Sequence, residues 1–295
     1  MQYVYTLMKP AALTFFTIVL FTLRVQSQTD IHIPDSLHIQ IITMSDGTKL
    51  QGRTLEIFSS EIRFETSFGM CTLAKEKISN VEEIPLSLLT NGEYWFENPN
   101  ATRLFFGPTA FTLKQSKGYI ADYYVFFPAI AYGITDDITI AGGSSIFPGI
   151  DFDEQIFYVA PKIGLATSEN LSLAAGALLI QLPNDINKHS TIGVIYGVGT
   201  YGNTNESITL GIGYGYSEKT FTDKPMVMLG GEKRISKNFA FVSENWMFPD
   251  INAPMVSYGI RFFGESLSVD FAFVTPVDEN FLFPGIPYID FAYTF

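Results

Sequence analysis

Short segments in which apolar and polar residues alternate recur along most of this chain. In 207–217, Ile208, Leu210, Ile212 and Tyr214 fall on one face of an extended chain, and a glycine-rich series falls on the other. Because successive side chains of a strand point to opposite faces, this period of two predicts β-strands. The predicted strands are 103–113, 118–134, 138–147, 155–166, 170–182, 190–202, 206–217, 226–235, 238–248, 255–263, 266–275 and 287–295.

The connections between these segments also alternate in kind. Short turns such as 135–137 and 203–205 are followed by longer, proline-containing loops such as 249–254 and 276–286. Short turns at one end and longer loops at the other are typical of outer-membrane barrels. The connection at 115–117 departs from this pattern, because it is short where a long loop is expected.

The fold class follows from the strand pattern. Inside a bilayer every backbone polar group must pair within the protein, and a closed barrel is the β-structure that achieves this. We therefore predict an all-β chain with a transmembrane, antiparallel, up-and-down barrel of about twelve strands over 103–295. An even strand number places both ends of the barrel on the periplasmic side, and 287–295 would pair with 103–113 to close the ring.

The first residues are typical of a bacterial export signal. Lys9 supplies a positive charge, 11–23 is an apolar stretch too short for a comfortable membrane span, and Val25 and Ser27 are spaced as a cleavage site. The prediction is a signal peptide over 1–27. The alternative is an uncleaved anchor, against which the charge of Arg24 counts.

Residues 36–86 form a second region of five short predicted strands with tight turns. Asp46-Gly47 is a strong hairpin signal, and Gly52 indicates a bend or bulge within the following strand. The run MSDGTKLQGRTLEI…EIRFETSFGMCTLAKEKISNVEEI resembles the small Sm-like/SH3-like modules at the front of bacterial envelope proteins. The resemblance implies a small β-barrel over 36–86, for which a spacer or interaction role is expected. The polar, aromatic-containing residues that follow predict a connector over 87–102.

Composition and charge exclude several classes of protein. The chain contains 27 Phe, 15 Tyr and 24 Gly but only 16% charged residues, which suits strands better than helices. A net charge of −12 would repel phosphate backbones, so no nucleic-acid partner is expected. Cys71 is the lone cysteine of the chain, which excludes an internal disulfide and a cysteine-rich metal site.

Candidate catalytic and metal-binding residues are few. His189 and Ser190 are adjacent, but neighbouring residues of an extended chain point to opposite faces, which is unsuitable for a catalytic pair. The carboxylates of Asp151, Asp153 and Glu154 could hold Ca²⁺, yet their spacing lacks the features of a calcium-binding loop. We therefore predict no catalytic residue, no cofactor and no metal site.

Charged residues at mid-strand positions are the remaining candidates, because charge inside a barrel must pair or meet water. They are Glu232, Lys233, Glu244, Arg261 and Asp270. One interpretation is a polar lumen that selects solutes. The other is a salt-bridged plug that closes a narrow barrel, since twelve strands lie between the filled interior of eight and the aqueous channel of sixteen.

The larger region also carries a family resemblance. The runs NPNATRLFFGPTA…GYIADYYVFFPAIAYGITDDITIAGG and YIDFAYTF resemble uncharacterised outer-membrane barrels of Bacteroidetes-type, Gram-negative bacteria. The resemblance implies an outer-membrane location with the N-terminal module in the periplasm. In that family the barrel-assembly machinery reads the terminal aromatic residue, which implies an assembly signal at Phe295.

The function expected from these features is that of a non-enzymatic porin-like barrel, either a passive channel or a structural component of the envelope. Its expected partners are outer-membrane lipid, the assembly machinery during biogenesis and a periplasmic protein that binds the N-terminal module. The alternatives are a lipid-modifying enzyme of the outer membrane and a soluble β-sandwich that acts as a binding module.

Overall fold

The computed structural model describes residues 31–295 apart from 91, 184–190, 218–219, 250, 252 and 278–282. The chain forms two compact units, Met1–Trp95 and Phe96–Phe295. The predicted signal peptide, 1–27, and the pair His189 and Ser190 lie outside the described residues. Within the described part of the chain, no helix is long and apolar enough to cross a membrane.

The first unit is built from short antiparallel strands, as the alternating pattern predicts. A five-stranded sheet has the order β4-β3-β2-β1-β5, and β6 pairs with β7. Two short 3₁₀ helices, Lys75–Lys77 and Leu86–Leu88, precede β5 and β6. The strands are β1 His38–Met44, β2 Lys49–Ile57, β3 Glu61–Thr66, β4 Gly69–Ala74, β5 Ile78–Pro85, β6 Leu89–Thr90 and β7 Glu93–Tyr94.

The turn at Asp46-Gly47 and the close approach at Gly52 lie where the sequence predicts special backbone positions. Gly47 has a φ of 86°, which favours glycine, and the Thr48 amide donates to Asp46 Oδ1 at 2.9 Å, so Asp46-Gly47 closes the β1–β2 turn. Gly52 packs against β3, because a Cβ there would lie 1.9 Å from the Glu65 carbonyl oxygen. The core contains Ile42, Ile62, Phe64, Leu73 and Ile78.

The second unit is a closed antiparallel barrel, which confirms the predicted fold class. Among the described residues, twelve strands form the wall, β20 closes the ring by pairing with β8, and the two-residue strand β15 extends β14 at one end. The strands are β8 Gly118–Tyr123, β9 Phe127–Gly133, β10 Ile138–Ser144, β11 Phe157–Thr167, β12 Leu171–Gln181, β13 Thr191–Gly202, β14 Glu206–Ser217, β15 Thr220–Phe221, β16 Met226–Ser236, β17 Phe239–Met247, β18 Met255–Phe263, β19 Leu267–Pro276 and β20 Ile286–Thr294. A further 3₁₀ turn, Phe152–Glu154, precedes β11.

The predicted membership of the wall is wrong at its start. Residues 103–113 form no wall strand, and 118–134 supplies two strands, β8 and β9, where one was predicted. The two errors compensate, so the predicted and observed strand numbers agree. The last strand pairs with β8, for example Tyr293 with Ile120, and not with 103–113. The long segment could have been divided on length alone, since about 9–11 residues suffice for a tilted strand to cross a bilayer.

The turn between β8 and β9 lacks the residues that usually mark a tight turn. Tyr124 and Val125 have φ values of 54° and 68°, a region that non-glycine residues rarely adopt. The turn is held by the Phe127 amide, which donates to Asp122 Oδ1 at 3.2 Å, and by the Tyr124 amide, which donates to the Ile289 carbonyl at 3.0 Å. Tertiary contacts therefore make a turn that the local sequence does not predict.

The two ends of the barrel differ in their connections. The short-turn end carries 134–137, 168–170, 203–205, 237–238 and 264–266, and most connections at the long-loop end are longer. The short connection at 115–117 lies at the short-turn end, where it leads into β8. The irregularity in the predicted loop pattern therefore came from the misassigned first strand.

The two faces of the wall have inverted polarity compared with a water-soluble barrel. On β14, Leu210 is 50% exposed on the outside, whereas Thr209 is completely buried on the inside. Every wall strand contributes at least one large apolar side chain to the outer surface. One such residue from each is Ile120, Ile130, Ile140, Ile163, Leu173, Ile195, Leu210, Leu229, Phe241, Phe262, Phe271 and Phe291. A continuous apolar exterior of this kind suits lipid rather than water.

Candidate functional site inside the barrel

The interior of the barrel is occupied by part of the chain itself, residues 96–113, which we call the lumen segment. It enters at the short-turn end, where the Phe96 carbonyl accepts a hydrogen bond from Arg234 Nη1 at 2.8 Å. It turns back at 104–107, where the Leu104 amide donates to the Gly107 carbonyl at 2.8 Å. It returns to the same end, where Thr112 Oγ1 donates to the Asp136 carbonyl at 2.6 Å.

The tip of the lumen segment is bound by one buried carboxylate of the wall. The backbone amides of Phe105, Phe106 and Gly107 donate to Glu244 Oε2 at 2.8, 2.9 and 2.9 Å. The other oxygen, Oε1, accepts from Trp246 Nε1 at 2.7 Å. Successive amides that converge on one anion form a strong, directional site. Glu244 is completely buried and forms no ion pair among the described residues, so these donors offset its desolvation.

Close packing at the tip depends on two glycines. A Cβ at Gly107 would lie 2.1 Å from Met228 Sδ and 3.3 Å from the Glu244 carboxyl carbon. A Cβ at Gly230, on the inner face of β16, would lie 2.4 Å from Leu104 Cδ1. Glycine therefore lets the backbone of the segment approach the wall closely.

Arg261 joins the wall to the segment through all of its nitrogens. It pairs with Asp270 through two 2.7 Å bonds and with Glu232 Oε2 through a third of 2.7 Å. It also donates to the carbonyls of Leu104 at 2.7 Å and Asn100 at 3.3 Å. The residue is completely buried, and the planar guanidinium suits this combination of paired carboxylates and backbone acceptors.

A second buried cation belongs to the lumen segment itself. Arg103 Nη1 donates to Asp290 Oδ2 at 2.7 Å and to the Phe105 carbonyl at 2.6 Å. Its guanidinium also lies 4.5 Å from the centroid of the Tyr123 ring, and Tyr288 donates to the same carboxylate of Asp290. The ion pair therefore attaches the segment to the closing strand, β20.

Lys162 on β11 binds both limbs of the segment, before and after its tip. Its ammonium donates to the carbonyls of Thr102, Thr109 and Phe111 at 2.9, 3.0 and 2.6 Å. These three acceptors use all three donors of the ammonium group. No salt bridge of Lys162 is found among the described residues. Lys162 and Glu244 thus bind the backbone of the segment from two sides, one as a donor and one as an acceptor.

A cavity of about 130 Å³ remains in the lumen beside the segment. Four tyrosines line it, together with Arg103 and Lys162. The tyrosines are Tyr119, Tyr123, Tyr158 and Tyr196. The cavity could hold several water molecules or a small solute.

Four of the charged residues singled out from the sequence point into the lumen. Arg261, Asp270 and Glu232 form one ion-pair network, and Glu244 lies apart from it at the tip of the segment. The sequence left open whether these charges line a polar pore or a salt-bridged plug. In the structure these charged side chains bind the lumen segment. Alternation along the strands does not reveal this binding partner.

Lys233 is the exception among the five, and its inclusion as a lumen charge is a correction. Its side chain lies on the outer face, where it pairs with Glu206 Oε1 at 2.7 Å, and both side chains are exposed. The physical reason is the period of two: Glu232 and Arg234 point inward, so the residue between them must point outward.

Sequence reasoning missed four lumen charges: Arg103, Lys162, Arg234 and Asp290. Arg103 was assigned to a wall strand, which hid its role in the segment. The other three lie on polar faces of correctly predicted strands and could have been found by extending the period of two from each apolar face.

Other candidate residues show no comparable arrangement. Phe295 is 42% exposed at the end of β20, and its backbone pairs with Gly118. The acidic loop residues Asp151, Asp153 and Glu154 are exposed. Among the described residues, the group of potential metal ligands that lie close together is in the N-terminal unit and does not include them.

Comparisons with known proteins give no family. No family model and no curated protein matches the chain. Among solved structures, the NanC porin has 9% identity and a TM-score of 0.39 over 60% of this chain and 97% of that one. A loop-deletion mutant of OmpT, an outer membrane protein of Vibrio cholerae, has 12% identity and a TM-score of 0.35 over 88% and 97%. A triple mutant of Rhodopseudomonas blastica porin has 11% and 0.32 over 88% and 97%. These values are too low to carry an argument about function.

Proposed function

We propose that this protein is a bacterial outer-membrane β-barrel whose lumen is closed by its own lumen segment. The observation that carries the proposal is the binding of three successive amides of the segment by the buried carboxylate of Glu244. The segment is fixed at several further points by Arg261, Lys162 and Asp290. The protein therefore acts as an occluded barrel rather than as an open, passive channel.

The outer-membrane location is supported by the apolar exterior and by the predicted export signal over 1–27. Short turns of such barrels face the periplasm. Because the chain enters the barrel at the short-turn end, we propose that the N-terminal unit is a periplasmic SH3-like/Sm-like module. Its sheet order, in which β5 pairs with β1 after a 3₁₀ turn, supports that assignment.

The proposed partners follow from the same arrangement. They are membrane lipid at the barrel exterior, a periplasmic protein at the N-terminal module and the assembly machinery, which would read Phe295 during insertion. We propose a non-enzymatic role, because the lumen charges Glu232, Glu244, Arg261 and Asp270 are used by contacts with the segment and with one another.

An arginine on the outer face tests the membrane assignment. Leu210→Arg places a charge on the middle of β14, where lipid would surround it, and we expect a loss of about 2–4 kcal/mol in the free energy of unfolding. Ile235→Arg is the matched control, because Ile235 is also exposed but lies near the short-turn end of β16, where the cost is about 0–1 kcal/mol. Urea titration of protein folded in lipid vesicles measures both. Equal costs at the two positions would contradict a membrane-spanning wall.

Electrical recording tests the closed lumen. We expect the wild-type protein, folded into a planar bilayer, to carry no steady current, because the lumen segment occupies the interior of the barrel and is bound to its wall. Heat-modifiable migration on gels and far-UV circular dichroism establish that the protein in the sample is folded. A steady ohmic conductance from folded wild-type protein would overturn the proposal.

A further inference from the structure

Two of the three histidines of the chain meet two carboxylates in the N-terminal unit. His32, Asp35 and His38 are spaced three residues apart, and Glu83 comes from β5, which pairs with β1. His38 Nδ1 lies 2.7 Å from Asp35 Oδ1 and 3.6 Å from Glu83 Oε1. The second oxygen of Glu83, Oε2, lies 2.5 Å from His32 Nε2. Glu83 thus stands between the two imidazoles.

We propose that His32, Asp35, His38 and Glu83 bind a divalent transition-metal ion, with Zn²⁺ as its representative. The ligand atoms of Asp35, His38 and Glu83 all lie within 4.8 Å of one another. His32 contacts the second carboxylate oxygen of Glu83, Oε2. Imidazole nitrogens and carboxylate oxygens are ordinary zinc ligands. The two carboxylates of this set also supply negative charge, which a divalent cation would neutralise.

Around Asp35, His38 and Glu83 the geometry needs little adjustment to hold the ion. Zinc lies about 2.0–2.2 Å from nitrogen and oxygen ligands, so two ligands of a tetrahedral site are roughly 3.3–3.6 Å apart. The separation of His38 Nδ1 from Glu83 Oε1, 3.6 Å, already matches this distance. The two shorter contacts, at 2.5 and 2.7 Å, would lengthen by about 0.6–1.1 Å as the ion replaces the shared proton.

The remaining contacts support a site that is accessible and partly pre-organised. The Leu37 amide donates to Asp35 Oδ1 at 2.7 Å, and Arg53 Nη2 donates to the His38 carbonyl at 2.7 Å, so the backbone around the ligands is fixed. All four side chains are partly or fully exposed, which leaves a path for the ion.

Isothermal titration of ZnCl₂ into the chelator-treated, full-length protein in detergent tests the site. We expect one zinc per chain, with binding weakened at least about tenfold in His38→Ala and in Glu83→Gln, since each removes a ligand. His189→Ala is the matched control, because it removes the third histidine of the chain and should bind zinc as the wild type does. The visible spectrum of bound Co²⁺ gives a second readout, which should show a tetrahedral site in the wild type and lose it in His38→Ala.

Two outcomes would overturn the proposal. One is the absence of saturable, equimolar zinc binding to the wild type. The other is an equal loss of binding in His38→Ala and His189→Ala. Circular dichroism of each variant separates loss of the ligand from loss of the fold. The site does not depend on the closed lumen, so either proposal can fail without the other.

Discussion

Replacing Glu244 with alanine is expected to release the lumen segment and to convert a silent barrel into a conducting one. The substitution leaves the amides of Phe105, Phe106 and Gly107 without their acceptor in a buried site. Each unsatisfied buried donor costs about 1–3 kcal/mol, so the bound state should lose at least about 3 kcal/mol. The ratio of released to bound segment then rises by at least about 10²-fold.

The measurement is the planar-bilayer current of Glu244→Ala beside that of the wild type. Trp246 donates to Glu244 Oε1 at 2.7 Å, so its fluorescence should change with the release. Glu206→Ala is the matched control, because it removes an exposed carboxylate whose partner, Lys233, lies on the outer face. If folded Glu244→Ala carried no more current than Glu206→Ala, the amide–carboxylate contact would not be what holds the segment.

Replacing Arg261 with methionine is expected to cause the largest loss of stability. Methionine keeps much of the volume but leaves Asp270 and Glu232 buried without their cation, and the Leu104 carbonyl without its donor. Breaking a buried ion pair on one side typically costs about 3–5 kcal/mol. We therefore expect the free energy of unfolding to fall by about that amount in urea titrations of protein folded in lipid vesicles.

A control and a second substitution separate charge from packing. Lys233→Met removes a cation from the outer face, where its ion pair is exposed, so its cost should stay below about 1 kcal/mol. Arg261→Met combined with Asp270→Asn should recover part of the loss, because the second change removes one of the stranded charges. Equal effects of Arg261→Met and Lys233→Met, or no recovery in the double variant, would contradict a buried ion-pair network.

Prediction from the sequence was correct for the faces of the wall strands but wrong for the segment inside the barrel. The alternation that identified β14 also assigned Thr209 and Leu210 to different faces, and the structure confirms that division. The sequence also assigns 103–113 to the wall, because RLFFGPTAFTL has the apolar content of a strand. A segment that packs inside a barrel needs apolar residues for the same reason that a wall strand does, so composition alone does not distinguish the two.

The contacts that define the site are also too distant in sequence for local rules. Glu244 and Phe105 are separated by 139 residues, and Arg103 and Asp290 by 187. His32 and Glu83 are 51 residues apart, so local patterns do not reveal that their side chains meet. Alternation predicts the face on which a side chain lies, but it does not predict which residues lie across a closed ring.

The sequence by itself determined that this chain forms amphipathic strands, how most of them are bounded and which residues share a face, because strand periodicity and turn chemistry are local properties. Only the tertiary structure decided which face is inside, that 96–113 occupies the lumen, and that β20 closes on β8. Those features depend on ring closure. Closure brings distant strands around a shared interior, where buried charged side chains bind the backbone of the lumen segment.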